Sequence, residues 1–122
     1  MAKVDFSLDK YHLLNDEELI AHIHERLHQV HPHAGKVTIS TGDRSYTLDK
    51  KEVYLCLRDE NGKFYDFNML MYVALHELAH CVCNEIGHTP KFHAIFEELQ
   101  EIAHRRGLFD ASAEPIHPYC EY

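Results

Sequence analysis

The sequence lacks several features that would place the protein in a specialised class. No apolar run is long enough to cross a membrane, and the first residues carry no apolar signal-peptide core. We therefore expect an intracellular protein, in the cytoplasm or the nucleus. The four cysteines include no CxxC pair, so we expect free thiols rather than a zinc site built from cysteines.

Positive charge is also scarce. The 12 lysines and arginines are outnumbered by 20 aspartates and glutamates, which gives a formal net charge of -8 at pH 7. Because no stripe of basic residues could neutralise phosphates, tight autonomous binding to nucleic acid or to an anionic membrane is disfavoured. With 122 residues, 45% of them hydrophobic, the chain fits a single globular domain spanning 1–122.

The hydrophobic pattern predicts an α+β fold in the order helix, strands, helix, helix. Apolar residues recur at helical spacing from Asn15 to Val30, and alternation between Lys36 and Leu57 indicates strands. A turn at Asn61-Gly62 favours a short returning strand over Lys63–Phe67. The sheet is expected to be small and mostly antiparallel.

Two helices are predicted in the second half of the chain. Asp66 or Asn68 can cap the first, which is expected to run to about Ile86. The second is expected to start at Pro90, a residue that suits the first helical position. The stretch 108–122 is polar and interrupted by prolines, so it is predicted to be an irregular tail.

The stretch His76–His80 reads HExxH, a pattern that predicts a catalytic zinc site. His76 and His80 are four residues apart, so they project from one helix face and can bind the same tetrahedral zinc ion. Glu77 flanks that face, where it can act as general base on a zinc-activated water without being a ligand. This constellation predicts a zinc-dependent hydrolase of peptide bonds.

A catalytic zinc needs a third protein ligand, and His88 is the predicted one. It follows Gly87, where the chain leaves the helix and can turn back toward the metal. His93 on the next helix is the main rival, and Glu97, one turn further, is a second. Cys83 is expected to pack behind the ligands, or to bind zinc in an inactive variant.

A second match to the pattern lies at His24–His28. Its Arg26 would place a cation near the metal, and its helix has an ordinary solvated face. The later match instead follows the apolar run Leu70–Leu75 and precedes a Gly-His pair, which favours it as the metal site. A weak surface metal site at His24, His28 and His31 is the alternative for the earlier histidines.

The region from Thr47 to Leu99 resembles the WLM and SprT-like zinc metalloproteases, a group of zincins. The stretches that carry the resemblance are Leu75–His80, Gly87-His88 with Phe92, and the preceding Tyr54–Arg58. The chain is similar in particular to short WLM-like proteins of large DNA viruses, which adds an infected host cell to the expected locations.

The resemblance implies a minimal zincin-like metalloprotease domain with Zn2+ as its cofactor. The family roles fall on His76, His80 and His88 as zinc ligands and on Glu77 as general base. The implied partner is a protein or peptide substrate, including proteins associated with DNA, with DNA itself contacted only indirectly and no membrane. Two alternatives stay open: a non-catalytic zinc-binding module, and a metal-dependent hydrolase of another substrate.

Overall fold

The computed structural model describes residues 14–113, and this part of the chain forms three helices and a three-stranded sheet. The predicted α+β class and the predicted order of elements are confirmed. In chain order the elements are α1 (Asp16–Val30), a 3-10 turn (Pro32–Lys36), β1 (Thr38–Thr41), β2 (Tyr46–Leu48), β3 (Glu52–Leu55), α2 (Phe67–Val82) and α3 (Pro90–Arg105).

Each helix begins at a capping side chain of a type that favours helix starts. Asn15 accepts a hydrogen bond from the Glu18 backbone N–H at 2.8 Å, and Glu18 accepts one from the Asn15 N–H at 3.0 Å. This reciprocal pair satisfies two amides that the helix itself leaves unbonded. Asp66 caps α2 through a backbone N–H of the first turn at 3.2 Å, and Thr89 caps α3 in the same way.

The end of α2 differs from the prediction. The helix stops at Val82, four residues before Ile86, because Cys83 adopts an extended backbone (φ -75, ψ 133). In a longer helix the N–H of residue 84 would bond to the His80 carbonyl. That carbonyl instead accepts a hydrogen bond from the Lys50 ammonium at 2.8 Å. A tertiary contact that no local pattern reveals therefore coincides with the end of the helix.

The sheet is mixed rather than mostly antiparallel. Its strand order is β1-β3-β2, with β1 parallel and β2 antiparallel to the central β3. The hairpin of β2 and β3 thus adds its second strand beside β1, so one of the two pairings is parallel. The predicted strand over Lys63–Phe67 does not form; the pairing there is a single antiparallel bridge between Arg58 and Phe64.

The core lies between the sheet and the helices, with α2 at its centre. Val53 and Leu55 point inward from β3, and α2 is buried along most of its length. Most faces of α2 carry apolar side chains, which suits a helix that contacts α1, α3 and the sheet at once. The wholly buried side chains of α2 are Phe67, Leu70, Met71, Val73, Ala74, Leu75 and Ala79.

The cysteines follow the prediction of free thiols in two of the three cases described. Cys81 and Cys83, at the end of α2, are buried free thiols. Cys56 is disulfide-bonded, so the prediction is wrong for this residue. Cys120 and most of the predicted tail over 108–122 lie outside the described residues.

Across residues 14–113, none of the helices combines the length and the apolar character that a membrane-spanning segment requires.

Candidate metal centre and active site

Three imidazoles converge at the end of α2. One ring nitrogen from each of His76, His80 and His88 lies within 4.8 Å of the other two, and the Nε2 atoms of His76 and His88 are 3.2 Å apart. In a tetrahedral zinc site with bonds of about 2.0–2.1 Å, ligand nitrogens stand about 3.3 Å apart. Small ring movements would therefore bring all three nitrogens onto one metal ion. A set of neutral imidazole donors suits zinc and related transition metals.

The loop from Cys83 to His88 brings the third imidazole to the first two. His76 and His80 face the same way because they are one helical turn apart. The chain then bends back at Gly87, whose φ of +87 lies in the left-handed region that glycine adopts without strain. Because α3 begins at Pro90, only Thr89 separates His88 from a rigid helix. The predicted third ligand thus lies where the sequence analysis expects it.

Aromatic rings from α3 cover one side of the three histidines. Phe92, fully buried, stacks on His80 with a centroid distance of 4.3 Å and meets the edge of His76 at 5.0 Å. Phe96 makes a second perpendicular contact with His76 at 5.0 Å. Contacts of this kind limit the orientations of the imidazoles and keep water from that side of the centre.

The same burial keeps the first two histidines neutral. Burial, followed by the repulsion of neighbouring histidines, lowers the pKa of His76 from its ordinary value of 6.5 to about 3. Burial also lowers the pKa of His80 to about 4, with smaller contributions from His88 and Lys50. Both imidazoles are therefore unprotonated at neutral pH, the form that binds a metal ion.

Glu77 lies next to His76 and is 3% exposed. Burial raises the pKa of its carboxyl from 4.5 to about 7, while a hydrogen bond from Thr47 opposes this rise. The Thr47 hydroxyl donates to Glu77 Oε1 at 2.7 Å. A carboxyl whose pKa lies near neutrality can both accept and release a proton at physiological pH.

Thr47 is a site residue that the sequence analysis missed. It lies on β2 opposite Val53, on the face of the sheet that points inward, whereas its neighbours Tyr46 and Leu48 are exposed. The available signal was a hydroxyl at an inward position of an alternating strand, since a hydroxyl turned away from solvent usually has a hydrogen-bond partner in the protein. The identity of that partner, 30 residues away, could come only from the fold.

An open cleft of about 730 Å³ leads to the three histidines and to Glu77. The hairpin of β2 and β3 supplies one set of lining residues, and α2 with the following loop supplies the other. Tyr46 on β2 is 42% exposed and Ile86 on the loop is 90% exposed, so two large apolar side chains border the cleft. The arrangement brings together three side chains that could hold a metal ion, a carboxyl with a pKa near neutrality and an open cleft.

The structure separates the rival ligands from this centre. His93 is exposed, with its ring 6.2 Å from the ring of His88, and Glu97 is exposed further along α3. The thiol of Cys83 accepts a contact from the Glu85 N–H at 3.5 Å and remains buried at the end of α2. Among the described residues, the group close enough to hold a metal ion consists of the three predicted histidines.

The earlier HExxH match on α1 forms a different environment. His24 Nε2 is 2.8 Å from a backbone carbonyl of the 3-10 turn, and His28 is exposed. Arg26, the residue inside this match that would place a cation near a metal, is buried with its guanidinium 5.1 Å from the centre of the Phe67 ring. Over residues 14–113, no third ligand joins this pair, so the alternative surface site with His31 is not assembled.

Comparisons with known proteins place these residues in one matched region. The profile of the WLM domain family matches residues 47–110, slightly more than half of the chain. The match begins at Thr47 and includes α2, the loop and α3, and therefore every residue of the candidate centre. No solved structure matches the chain at a significant level.

Three similar proteins come from large DNA viruses and are uncharacterized. Uncharacterized protein 136R of Invertebrate iridescent virus 6 is 40% identical over 88 residues, which cover 70% of this chain and 49% of the relative. Uncharacterized protein 042R of Invertebrate iridescent virus 3 is 48% identical over 77 residues, 62% of this chain and 48% of the relative. Uncharacterized protein R325 of Acanthamoeba polyphaga mimivirus is 44% identical over 81 residues, 62% of this chain and 41% of the relative.

The chain thus spans about half the length of the curated relatives it matches. Since the family profile matches more than half of the chain and includes the whole candidate centre, the chain belongs to the WLM domain family.

Proposed function

We propose that the chain is a zinc-dependent metallopeptidase with Glu77 as its general base. The observation that carries the proposal is the position of a buried carboxyl, with a pKa of about 7, directly beside three converging imidazoles in an open cleft. A metal site that only stabilises a fold has no use for such a carboxyl. Its retention beside the ligands favours catalysis.

His76, His80 and His88 would hold the zinc ion. Three protein ligands leave a fourth position for water or substrate, as in catalytic zinc sites, whereas structural sites have four protein ligands. The bound ion would act as a Lewis acid and bring the pKa of a water molecule close to neutrality. His93 and Cys83, which could close a structural site, lie outside the group of three.

Glu77 would move the proton during hydrolysis. The Thr47 hydroxyl donates to Oε1 at 2.7 Å and so restrains the carboxyl, and Oε2 would be the oxygen that accepts the proton of the attacking water. The same oxygen then donates the proton to the nitrogen of the leaving amine. A pKa near 7 suits both steps, because neither protonation state is strongly disfavoured at neutral pH.

The shape of the cleft supports a polypeptide substrate. In the described part of the sheet, β2 is an edge strand, and residues of β2 line the cleft beside Glu77. An extended chain can pair with such an edge through its backbone. The exposed side chains of Tyr46 and Ile86 would contact apolar side chains of this substrate. Proteins associated with DNA belong to the same substrate class, as the family resemblance implies.

The test is proteolysis of an unfolded protein mixture by zinc-loaded protein, with new N-termini identified by mass spectrometry. The variants are Glu77→Gln and its matched control Glu25→Gln, since Glu25 follows the first histidine of the α1 match and is exposed. We expect Glu77→Gln to retain zinc and to lose activity by about 100- to 10,000-fold, while Glu25→Gln retains both.

Two outcomes would contradict the proposal. Zinc-loaded wild-type protein that produces no new termini would favour the non-catalytic zinc-binding module. Undiminished proteolysis by Glu77→Gln would exclude Glu77 as the general base. Repeating the assay with DNA-bound proteins, with and without competitor DNA, determines whether association with DNA improves a substrate.

A further inference from the structure

The turn between β2 and β3 has a backbone conformation that one of its residues, Lys50, does not favour. Asp49 and Lys50 have φ values of 54 and 58, and the N–H of Lys51 closes the turn onto the Leu48 carbonyl at 3.1 Å. Two successive residues with positive φ are typical of a type I′ turn, in which asparagine, aspartate and glycine are preferred. A lysine in this conformation is strained. Its presence at position 50 therefore needs a reason outside the turn.

The side chain of Lys50 reaches the end of α2. Its Nζ donates to the His80 carbonyl at 2.8 Å and to the Glu85 carbonyl at 3.0 Å. Carbonyls in the last turn of a helix have no partner within the helix, and a cation there also interacts favourably with the helix dipole. Lys50 therefore caps α2 and, at the same time, binds the loop that follows it.

The two carbonyls belong to the two parts of the chain that carry candidate ligands. One is the backbone of His80 itself, and the other lies three residues before His88. A single ammonium group thus fixes the end of the ligand-bearing helix and the path of the loop toward the third histidine.

The loop from Cys83 to His88 has further ties on its other side. The Thr89 hydroxyl donates to Glu85 Oε1 at 2.6 Å, and the Lys91 ammonium donates to Asn84 Oδ1 at 2.8 Å. Both ties run to the start of α3, one to its capping residue and one to its first turn. Lys50 differs from them because it connects the loop to the sheet, on the side of the cleft where Thr47 holds Glu77.

We propose that Lys50 is a positioning residue that holds His88 in the place where it completes the metal centre. The inference rests on the proposed function, because it assigns Lys50 a part in the same zinc site. Ordering a mobile loop when the metal binds costs conformational entropy. A loop that is already ordered in the folded protein does not add this cost to metal binding. If the loop were released, only a fraction of molecules would present His88 correctly. The apparent affinity for zinc would then be the intrinsic affinity multiplied by that fraction.

The first experiment compares Lys50→Met with Lys51→Met. Both substitutions remove one positive charge from the same turn, but Lys51 is exposed, and its bond in the turn comes from its backbone. Zinc affinity is measured by competition with a chromophoric chelator. We expect Lys50→Met to weaken zinc binding by about 10- to 100-fold, as is usual for residues that orient metal ligands, and Lys51→Met to leave it unchanged. Equal affinities for the two variants would overturn the proposal.

A double-mutant cycle with His88→Ala separates positioning from a general structural effect. If Lys50 acts through His88, then Lys50→Met has little further effect on zinc affinity once His88 is alanine. If Lys50→Met weakens binding equally in both backgrounds, Lys50 does not act through His88 and the proposal is wrong.

A third variant, Lys50→Gly, guards against loss of folding. Glycine suits a positive φ, so we expect its melting temperature to match or exceed that of the wild type while its zinc affinity falls. Zinc affinity that stays at the wild-type level would contradict the proposal.

Hydrogen exchange in the metal-free protein separates a failure of this inference from a failure of the proposed function. We expect the amides of residues 84–88 to exchange faster in Lys50→Met than in Lys51→Met, whether or not the wild type binds zinc. A wild type that binds no zinc contradicts the proposed function. Unchanged exchange in the loop contradicts the tie made by Lys50.

Discussion

Two helices of this chain present a pair of histidines four residues apart, with a glutamate after the first. On α1, His24 is near a backbone carbonyl, His28 is exposed, and the intervening arginine packs on an aromatic ring. On α2, His76 and His80 meet a third imidazole under the cover of aromatic rings from α3. The spacing supplies a pair of ligands in both places, and the tertiary structure decides which pair becomes a centre.

The glutamates of the two matches differ in the same way. Glu25 is exposed on α1, whereas Glu77 is 3% exposed beneath β2, with a hydrogen bond from Thr47. Burial raises the pKa of Glu77 to about 7, into the range where a carboxyl can exchange protons at physiological pH. The burial and the hydrogen bond of Glu77 therefore depend on β2, a strand that is distant in sequence from the motif.

The largest expected difference concerns zinc affinity in His80→Ala and His28→Ala, which alter the second histidine of each match. If three ligands share a binding free energy of about 10 kcal/mol, the loss of one weakens binding by about 100-fold or more. We expect this loss for His80→Ala and no change for His28→Ala in a chelator competition assay. Equal losses for both variants would abolish the distinction between the helices.

The next largest effect concerns stability of the metal-free protein at different pH values. The folded-state pKa of Glu77, about 7, lies above its ordinary value of 4.5, so the unfolded state ionises first as pH rises. The contribution of Glu77 to wild-type stability therefore falls between pH 4.5 and 7, while Glu77→Gln does not show this fall. We expect Glu77→Gln to gain about 1–3 kcal/mol over wild type between pH 4.5 and pH 8.

Urea unfolding in the presence of a chelator measures this difference. Glu25→Gln is the control, because Glu25 is exposed and should give the same difference from wild type at both pH values. A difference for Glu77→Gln that does not change with pH would show that the carboxyl is not buried in solution.

The smallest predicted effect concerns the hydrogen bond to Glu77. Thr47→Val keeps the shape of the side chain but removes the donor to Oε1, so the carboxyl loses its fixed orientation. A hydrogen bond to an ionisable group contributes about 1.5 kcal/mol, which corresponds to about a tenfold decrease in kcat. Thr38→Val, at an exposed position of β1, is the control and should retain wild-type kcat. Unchanged kcat in Thr47→Val would exclude Thr47 from orienting the carboxyl.

Local signals were sufficient for the starts of the helices and for the grouping of the histidines. Asn15, Asp66 and Thr89 are capping residues whose hydrogen bonds reach only into the next turn, so their function can be read from neighbouring sequence. Gly87 similarly predicts the reversal that brings His88 back to the helix, because its positive φ is a local requirement. Each of these features depends on a few consecutive residues.

Features that depend on distant partners could not be predicted. The end of α2 coincides with a bond from Lys50, 30 residues earlier, and the orientation of Glu77 depends on Thr47 at the same separation. The parallel pairing of β1 with β3 likewise depends on where the hairpin docks, which the alternation of apolar residues does not specify. In each case the sequence shows a residue of suitable chemistry but not its partner.

The most direct test of the metal centre is elemental analysis of zinc per chain, after zinc is offered at neutral pH and excess metal is removed. Three converging histidines on α2 and its loop predict one zinc ion per wild-type chain. They also predict one in the double variant His24→Ala/His28→Ala, and a value near zero in His76→Ala. A wild-type value near zero would contradict the metal centre, and a value near two that falls to one in the double variant would show that α1 also forms a site.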